Sequence, residues 1–251
     1  MVQFTIENKK LSEFITGFGK DLNDIVFRVQ DDSVESAVGK DTYYLRKRVT
    51  VSDTDKGEIP VSNLTKLLAF LKACKTGDVT LTFRGGAGSI HVACNNSTLQ
   101  LPTSTYLQSQ QQLPLIERMV NLSEESMWQK WADFPLDCHG TVIGDDLQPA
   151  TQFDKVIGGK FSCRVEFDAN EIVIRAGSKV KGKMFVRAAV VDGKIKGEAT
   201  QSSYAYWLPA LLSTTPSGSL SVHTGDETVL VFEQPETGYL LVIMDQDFEE
   251  D

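Results

Sequence analysis

The sequence predicts an α+β protein of two similar domains, each with helices packed on one face of antiparallel sheets. Three observations carry this reading. The chain has 251 residues, more than one ordinary domain core accommodates and enough for two of about 125. A helix-then-strands pattern occurs twice along it. The strand-like runs alternate apolar and polar residues and are separated by short turns bearing Gly and Asn.

In chain order, Leu11, Phe14, Ile15 and Phe18 recur at helical spacing and define a first amphipathic helix. Strand-like runs follow at Ile25 to Gln30, Val34 to Val38 and Tyr43 to Val51. A second helix is marked by Leu64, Leu67, Leu68 and Leu71 within Val61 to Leu71, with Ser62 or Asn63 available as N-cap. Three alternating strands come next, through Val79, Leu81 and Phe83, then Ile90 and Val92, then Leu99 and Leu101, with Gly85, Gly86, Gly88, Asn95 and Asn96 at the turns. The second half repeats the scheme. Leu147, Ala150, Phe153 and Ile157 form one helical face, and strands follow at Phe161 to Phe167, Glu171 to Ala176 and Lys183 to Val191. Leu208, Leu211 and Leu212 repeat the Leu-x-x-Leu-Leu spacing, with Pro209 acceptable in a first turn. Leu220 to Val222, Val229 to Phe232 and Tyr239 to Met244 close the pattern. Pro102 to Gln129 is rich in Gln, Ser and Thr, contains Pro114 and has no sustained period. The expected boundaries are therefore a first domain at 1–104, a linker at 105–130 and a second domain at 131–251.

Composition excludes several classes of function. Apolar residues make up 41% and charged residues 24%, as in an ordinary globular protein. No stretch approaches the roughly 18 apolar residues of a membrane span, and Met1 to Lys10 has no apolar signal core, so an intracellular protein without membrane contact is expected. Cys74, Cys94, Cys138 and Cys163 are scattered without a Cys-x-x-Cys, which suggests neither a disulfide framework nor a zinc site; all four read as buried small hydrophobes. His91, His139 and His223 lie in alternating strands and read as structural or surface residues. No metal or cofactor is expected. A net charge of -9 opposes ordinary nucleic-acid binding, so any DNA contact must come from segregated positive charge.

Enzyme signals fail on inspection. Gly177-Ser178-Lys179-Val180-Lys181-Gly182-Lys183 matches a phosphate-binding loop until Met184 takes the place of the magnesium-binding hydroxyl. A strand rather than a helix is expected after it, which makes a basic hairpin turn the better reading. Gly85-Gly86-Ala87-Gly88 lacks dinucleotide-site spacing. No Ser-His-Asp order or carboxylate pair stands out, and no catalytic residue is assigned.

The chain's ending is its most specific stretch: Tyr204 to Thr214, Ser219 to Val222, Val229 to Glu233, then Gly238-Tyr239-Leu240-Leu241-Val242-Ile243-Met244 before an acidic tail. With the repeat, it resembles the two-domain DNA sliding clamps of the proliferating-cell nuclear antigen (PCNA) and phage polymerase clamp type. Asp245-Gln246-Asp247 replaces that family's Ala-Pro-Lys-type ending, which points toward a viral or phage member. The resemblance implies a non-enzymatic processivity factor of DNA replication that encircles double-stranded DNA without sequence preference. It further implies a homotrimeric ring of six domains, helices lining the hole, a clamp loader, and tethering of DNA polymerase and other replication proteins. The setting would be the cytoplasm or nucleoid of a bacterial host for a phage protein, or the nucleus for a eukaryotic one.

Carried onto this sequence, the DNA-facing residues would be Lys9, Lys10, Lys20, Lys66, Lys72 and Lys155, which lie opposite or beside the apolar helix faces. The final helix carries no basic residue. Ring closure would pair Ser97 to Leu101 with Met184 to Ala188 of a neighbour, through Thr98, Leu99 and Leu101 against Met184 and Val186. Partner peptides would dock on Val38, Tyr43, Leu115, Ile116, Val229 and Ile243, with Leu115 and Ile116 notable as paired aliphatics in a polar linker that has no obvious core to join. The competing reading is a monomeric, non-ring polymerase accessory or binding protein of the same fold.

Overall fold

The computed structural model describes residues 1–18, 22–40, 42–85, 88–103, 112–119, 136, 138–158, 161–168, 170–178, 182–191, 201–204, 208–225 and 229–244. The chain divides into two compact units, Met1–Val38 with Leu45–Val120 and Gly39–Tyr44 with Asn121–Asp251.

In the first unit, β1 (Val2–Glu7) runs directly into α1 (Asn8–Thr16). β1 lies in an antiparallel sheet ordered β5 (Ser52–Asp55), β1, β7 (Asp78–Phe83), β8 (Ser89–Cys94), β9 (Ser97–Pro102). Its register sets Phe4, Leu81 and Val92 side by side on one buried face, as the period of two requires. β2 (Asp24–Val29) pairs with β3 (Ser33–Lys40) on one side and β6 (Gly57–Ser62) on the other, and β4 (Tyr43–Thr50) lies next to β3. Phe27 of β2 meets Phe4 edge-on at 5.8 Å and Phe14 of α1 at 6.0 Å, so one aromatic cluster joins strands and helix.

The helix faces follow the apolar spacing. Leu11, Phe14, Ile15 and Phe18 are buried, as are Leu64, Leu67 and Leu71 of α2 (Leu64–Cys74). Asn63, at φ 65, is the N-cap of α2, accepting from the Lys66 N–H at 3.2 Å, one of the two caps expected; Val61, before it, belongs to β6.

The second unit repeats the plan with different helices. Its sheets run β10 (Cys138–Ile143), β15 (Ser219–Thr224), β16 (Val229–Gln234), β17 (Tyr239–Met244), and β13 (Gly182–Ala189), β12 (Glu171–Ser178), β11 (Ser162–Asp168), β14 (Gln201–Tyr204). The single helix expected through Leu147 and Ile157 is instead α4 (Gly144–Leu147), a 3₁₀ turn (Gln148–Gln152) and α5 (Phe153–Ile157). Pro149 opens the 3₁₀ turn, where its missing N–H is tolerated, and the apolar face survives: Leu147, Ala150, Phe153 and Ile157 are all buried. α6 (Leu208–Leu212) holds Pro209 in its first turn as expected.

Both units tie their two helical segments with a side-chain amide. Asn8 Nδ2 donates to the Leu71 carbonyl at 2.9 Å, and Gln148 Nε2 donates to Thr215 Oγ1 at 3.1 Å, just past α6. The N-terminus of α4 is also fixed to the loop after α6, for Gly144 N–H donates to the Gly218 carbonyl at 2.8 Å and Asp145 accepts from Ser217 Oγ at 2.9 Å. A Cβ on Gly144 would sit 2.0 Å from the Pro216 carbonyl oxygen. Gly144→Ala should therefore destabilise the second unit by about 1–3 kcal/mol in urea titrations, as overpacking against backbone does.

Residues 112–119, expected within a structureless linker, form a helix, α3, in the first unit. Pro114 falls in its first turn. Ile116 and Met119 are fully buried, and Gln112 acts as a substitute strand partner for β2, accepting from Val26 N–H at 2.7 Å and donating to the Asp24 carbonyl at 3.3 Å. The expectation that Ile116 has no core to join is corrected: α3 carries it into one.

Lys47 of β4 reaches under the end of α1, its ammonium 5.9 Å from the Phe18 ring centroid. Desolvation pushes its pKa down to about 8, with the Glu13 charge opposing part of that shift. The unfolded chain therefore holds this proton more tightly than the native one, so stability should rise as pH goes from about 8 to about 10.5 and the cost should be fully present at pH 7. Lys47→Met should stabilise the protein at pH 7 by on the order of 2 kcal/mol, with the gain shrinking above pH 8 in denaturant titrations.

Candidate nucleic-acid and subunit interfaces

The described lysines of the expected DNA face, Lys9, Lys10, Lys66, Lys72 and Lys155, are all exposed on helices whose other faces are buried. Lys20 lies outside the described residues. Lys9 is shared with Glu13 one turn later at 3.9 Å, a solvent-exposed pair of little energetic weight. Lys72 lies in the last turn of α2, where the helix dipole favours a cation.

Charge is distributed unevenly between the two units. In the first, α1 and α2 together carry Lys9, Lys10, Lys66 and Lys72 against Glu13, four positive less one negative, or +3. In the second, α4 to α5 carry Lys155 against Asp145, Asp146 and Asp154, one less three, or -2, and α6 is uncharged. The basic helix surface is thus a property of the first unit. The sequence carries this difference in the aspartates beside Leu147 and Lys155.

The strands expected at a subunit contact both lie at sheet edges. β9 pairs with β8 and ends its sheet, while β13 pairs with β12 and ends its own. Thr98 is exposed and Leu99 half-buried, while Leu101 points into the core; on β13, Met184 is half-buried and Val186 buried. Phe185, between them, is exposed at 47% and faces the other way, with the Arg175 guanidinium 5.2 Å from its ring centroid. Phe185 and Arg187 are both exposed on β13, and the apolar alternation did not single them out.

Within the second unit, two of the expected partner-docking residues point to opposite faces of one sheet. Ile243 pairs with Leu230, and Val229 with Met244, so Ile243 and Val229 point to opposite faces of their sheet. Ile243 and Ile116 are fully buried, and Val38 and Val229 nearly so; Tyr43 and Leu115 keep partial exposure. A register is needed to see this, and the sequence alone supplied only the alternation.

The phosphate-loop resemblance ends in a strand. Ser178 pairs with Gly182 and Gly177 with Lys183 in the β12–β13 ladder, so no helix N-terminus follows; residues 179–181 lie outside the described ones. His139 and His223 face each other across β10 and β15 with rings stacked at 5.7 Å. Burial, then the His139 charge, pushes the His223 pKa down to about 4. Among the described residues, no group of three His, Cys, Asp or Glu is placed to hold a metal ion, and no helix is long and apolar enough to cross a membrane.

Neither a protein-family model nor a curated protein matches the chain in sequence. Solved structures match it closely in shape. PCNA from Thermococcus kodakaraensis superposes at TM-score 0.67 and 12% identity over 98% of this chain and 100% of that one. Archaeoglobus fulgidus PCNA, solved with the C-terminal region of FEN-1 bound, gives 0.69 at 10% identity over the whole of both chains. The chain has the sliding-clamp fold. The β subunit of DNA polymerase III from Thermotoga maritima shares that fold at TM-score 0.68 and 12% identity over 99% of this chain. This chain spans only 66% of that subunit's length. The clamp fold explains why the sequence repeats and why two helical segments accompany each pair of sheets, while the identities leave residue roles to be argued from this chain's own geometry.

Proposed function

We propose that this chain is a DNA polymerase sliding clamp: a non-enzymatic subunit that closes with copies of itself into a ring around duplex DNA and tethers a polymerase to it. The observation that carries the reading is the end-to-end match to PCNA chains, which accounts for both units with no segment of those chains left over. Two further features support it. The exposed lysines give α1 and α2 a local excess of positive charge in a chain of net charge -9, as attraction to phosphates requires. β9 and β13 each offer an edge, the requirement for a head-to-tail contact that closes by rotation.

Retention in such a ring is topological. Ammonium groups touch phosphates without reading bases, which leaves the ring able to slide while encirclement prevents departure. Tyr43 and Leu115, each partly exposed, are separately proposed as anchors for polymerase and loader peptides, and a viral or phage source remains part of the proposal.

The test is retention on DNA. Loaded by a clamp loader onto nicked circular duplex, the protein should survive a high-salt wash and be released when the circle is linearised. It should also lengthen polymerase products on a primed circular template. Loss in the salt wash from circles, with polymerase binding intact, would support the monomeric accessory reading and overturn the ring.

A further inference from the structure

We propose that His139 and His223 form a two-histidine site for a divalent transition-metal ion of the zinc class, which clips the edge strand β10 to β15. The inference stands on the second unit alone and does not depend on ring closure.

β10 and β15 pair in one antiparallel ladder from Cys138 opposite Thr224 to Ile143 opposite Ser219, and His139 stands directly across from His223. The alternation of the ladder sorts its side chains between two faces. Val142, Leu220 and Val222 are buried on one, whereas His139, Thr141, Ser221 and His223 keep partial exposure on the other. The two imidazoles therefore share a face that solvent reaches. Their ring centroids are 5.7 Å apart and their planes are inclined by 24°.

That separation is close to what a shared metal ion requires. Zinc binds an imidazole nitrogen at about 2.0–2.1 Å, so a tetrahedral ion holds the centroids of two such rings about 5 Å apart. Cβ atoms directly opposed across an antiparallel pair are about 4.5–5.5 Å apart, which lets both rings reach one ion without backbone movement. The remaining adjustment turns one nitrogen of each ring toward the ion. It is a rotation about the Cβ–Cγ bond, a broad torsion in histidine. The backbone beneath is fixed, because the ladder continues on both sides of the pair and Val191 N–H donates to the Thr141 carbonyl at 2.7 Å.

The donor set decides the class of cation. Imidazole suits zinc, copper and nickel, while magnesium and calcium take oxygen ligands. Among the described residues no third His, Cys, Asp or Glu joins the pair, so water completes the coordination and part of the shell stays exchangeable. Both rings bind as neutral imidazoles, and any proton on a coordinating nitrogen passes to solvent. β10 ends its sheet, and an ion held between it and β15 ties that edge down and stabilises the folded unit by mass action.

The full chain, free of any affinity tag and stripped with a chelator, should be titrated with zinc chloride alone at neutral pH, with calorimetry and the NMR signals of the histidine rings as readouts. Expected are one zinc per chain, shifted ring signals for both His139 and His223, and a rise in the midpoint of thermal unfolding of about 5 °C at saturating zinc. Magnesium chloride should produce none of these. His139→Phe keeps an aromatic ring against His223 but removes the nitrogen, and should weaken zinc binding by at least about 10-fold with the circular dichroism unchanged. His223→Ala should do the same; should it not fold, His139→Phe and the wild type decide the matter between them. His91→Ala, on β8 of the first unit, should leave the affinity as it is. Zinc binding unaltered by His139→Phe, or ring signals of His139 and His223 that stay unmoved at millimolar zinc, would overturn the proposal.

Discussion

Replacing Lys10, Lys66 and Lys72 together with glutamate should lower the yield of clamp loaded on DNA by about 100-fold at physiological salt, and should flatten the salt dependence of weak duplex binding by about three phosphate contacts. The three ammonium groups lie on α1 and α2, exposed, and among the described residues none is engaged by a carboxylate in the way Lys9 is by Glu13. They supply most of the +3 that distinguishes these helices from the -2 of the second unit. The fold should be retained: Lys72→Glu exchanges a favourable cation for an anion at the end of α2, at a cost of about 1 kcal/mol, while Lys10 and Lys66 lie on exposed helix faces. The measurement is clamp retention on circular duplex across a salt series, with oligomeric mass and circular dichroism as controls. Lys155→Glu alone, in an already acidic surround, should do far less. Equal losses from Lys155→Glu and the triple variant would place the DNA contact elsewhere.

The second large effect is on stability. Glu35 of β3 and Arg46 of β4 are each 4% exposed, and Arg46 Nε and one terminal nitrogen donate to a single Glu35 oxygen at 3.2 and 2.7 Å. Arg28, directly opposite Glu35 across the β2–β3 ladder, adds a 3.8 Å contact from a half-buried position. Glu35→Ala leaves a guanidinium buried without its counter-charge and should cost about 3–5 kcal/mol. Replacing both partners, as in Glu35→Leu with Arg46→Met, should recover most of that loss, since the desolvation cost of two ions disappears with their attraction. Urea titration of the single and double variants checks this; equal destabilisation by both would mean the pair contributes through shape rather than charge.

Much of the fold was legible in the sequence because the helices are amphipathic. Leu11, Phe14 and Ile15, or Leu64, Leu67 and Leu71, bury at the period of the α-helix wherever the chain places them. Leu147, Ala150, Phe153 and Ile157 bury together even though Pro149 breaks their helix into three pieces, because the 3₁₀ turn shifts the face only slightly. β6 was hidden by Gly57 and Pro60, which a central strand would refuse; β6 lies beyond β2, where Pro60 can be accommodated. α3 was hidden by the glutamines that lead into it and by Pro114, a composition that looks like linker until Gln112 is seen bonded to β2. The candidate sites were legible in unequal measure. The polar helix faces that carry the lysines depend on local pattern, whereas β9 and β13 could be named as edges only by their position in the clamp resemblance. The opposite facing of Val229 and Ile243 and the stacked histidines depend on register and long-range closure, for which a single sequence carries no signal.

The central claim is closure into a ring, and the mass in solution tests it most directly. Sedimentation equilibrium of the purified chain should give roughly three times the 27.7 kDa of one subunit at micromolar concentration. A mass that stays at 27.7 kDa across the concentration range would contradict the account.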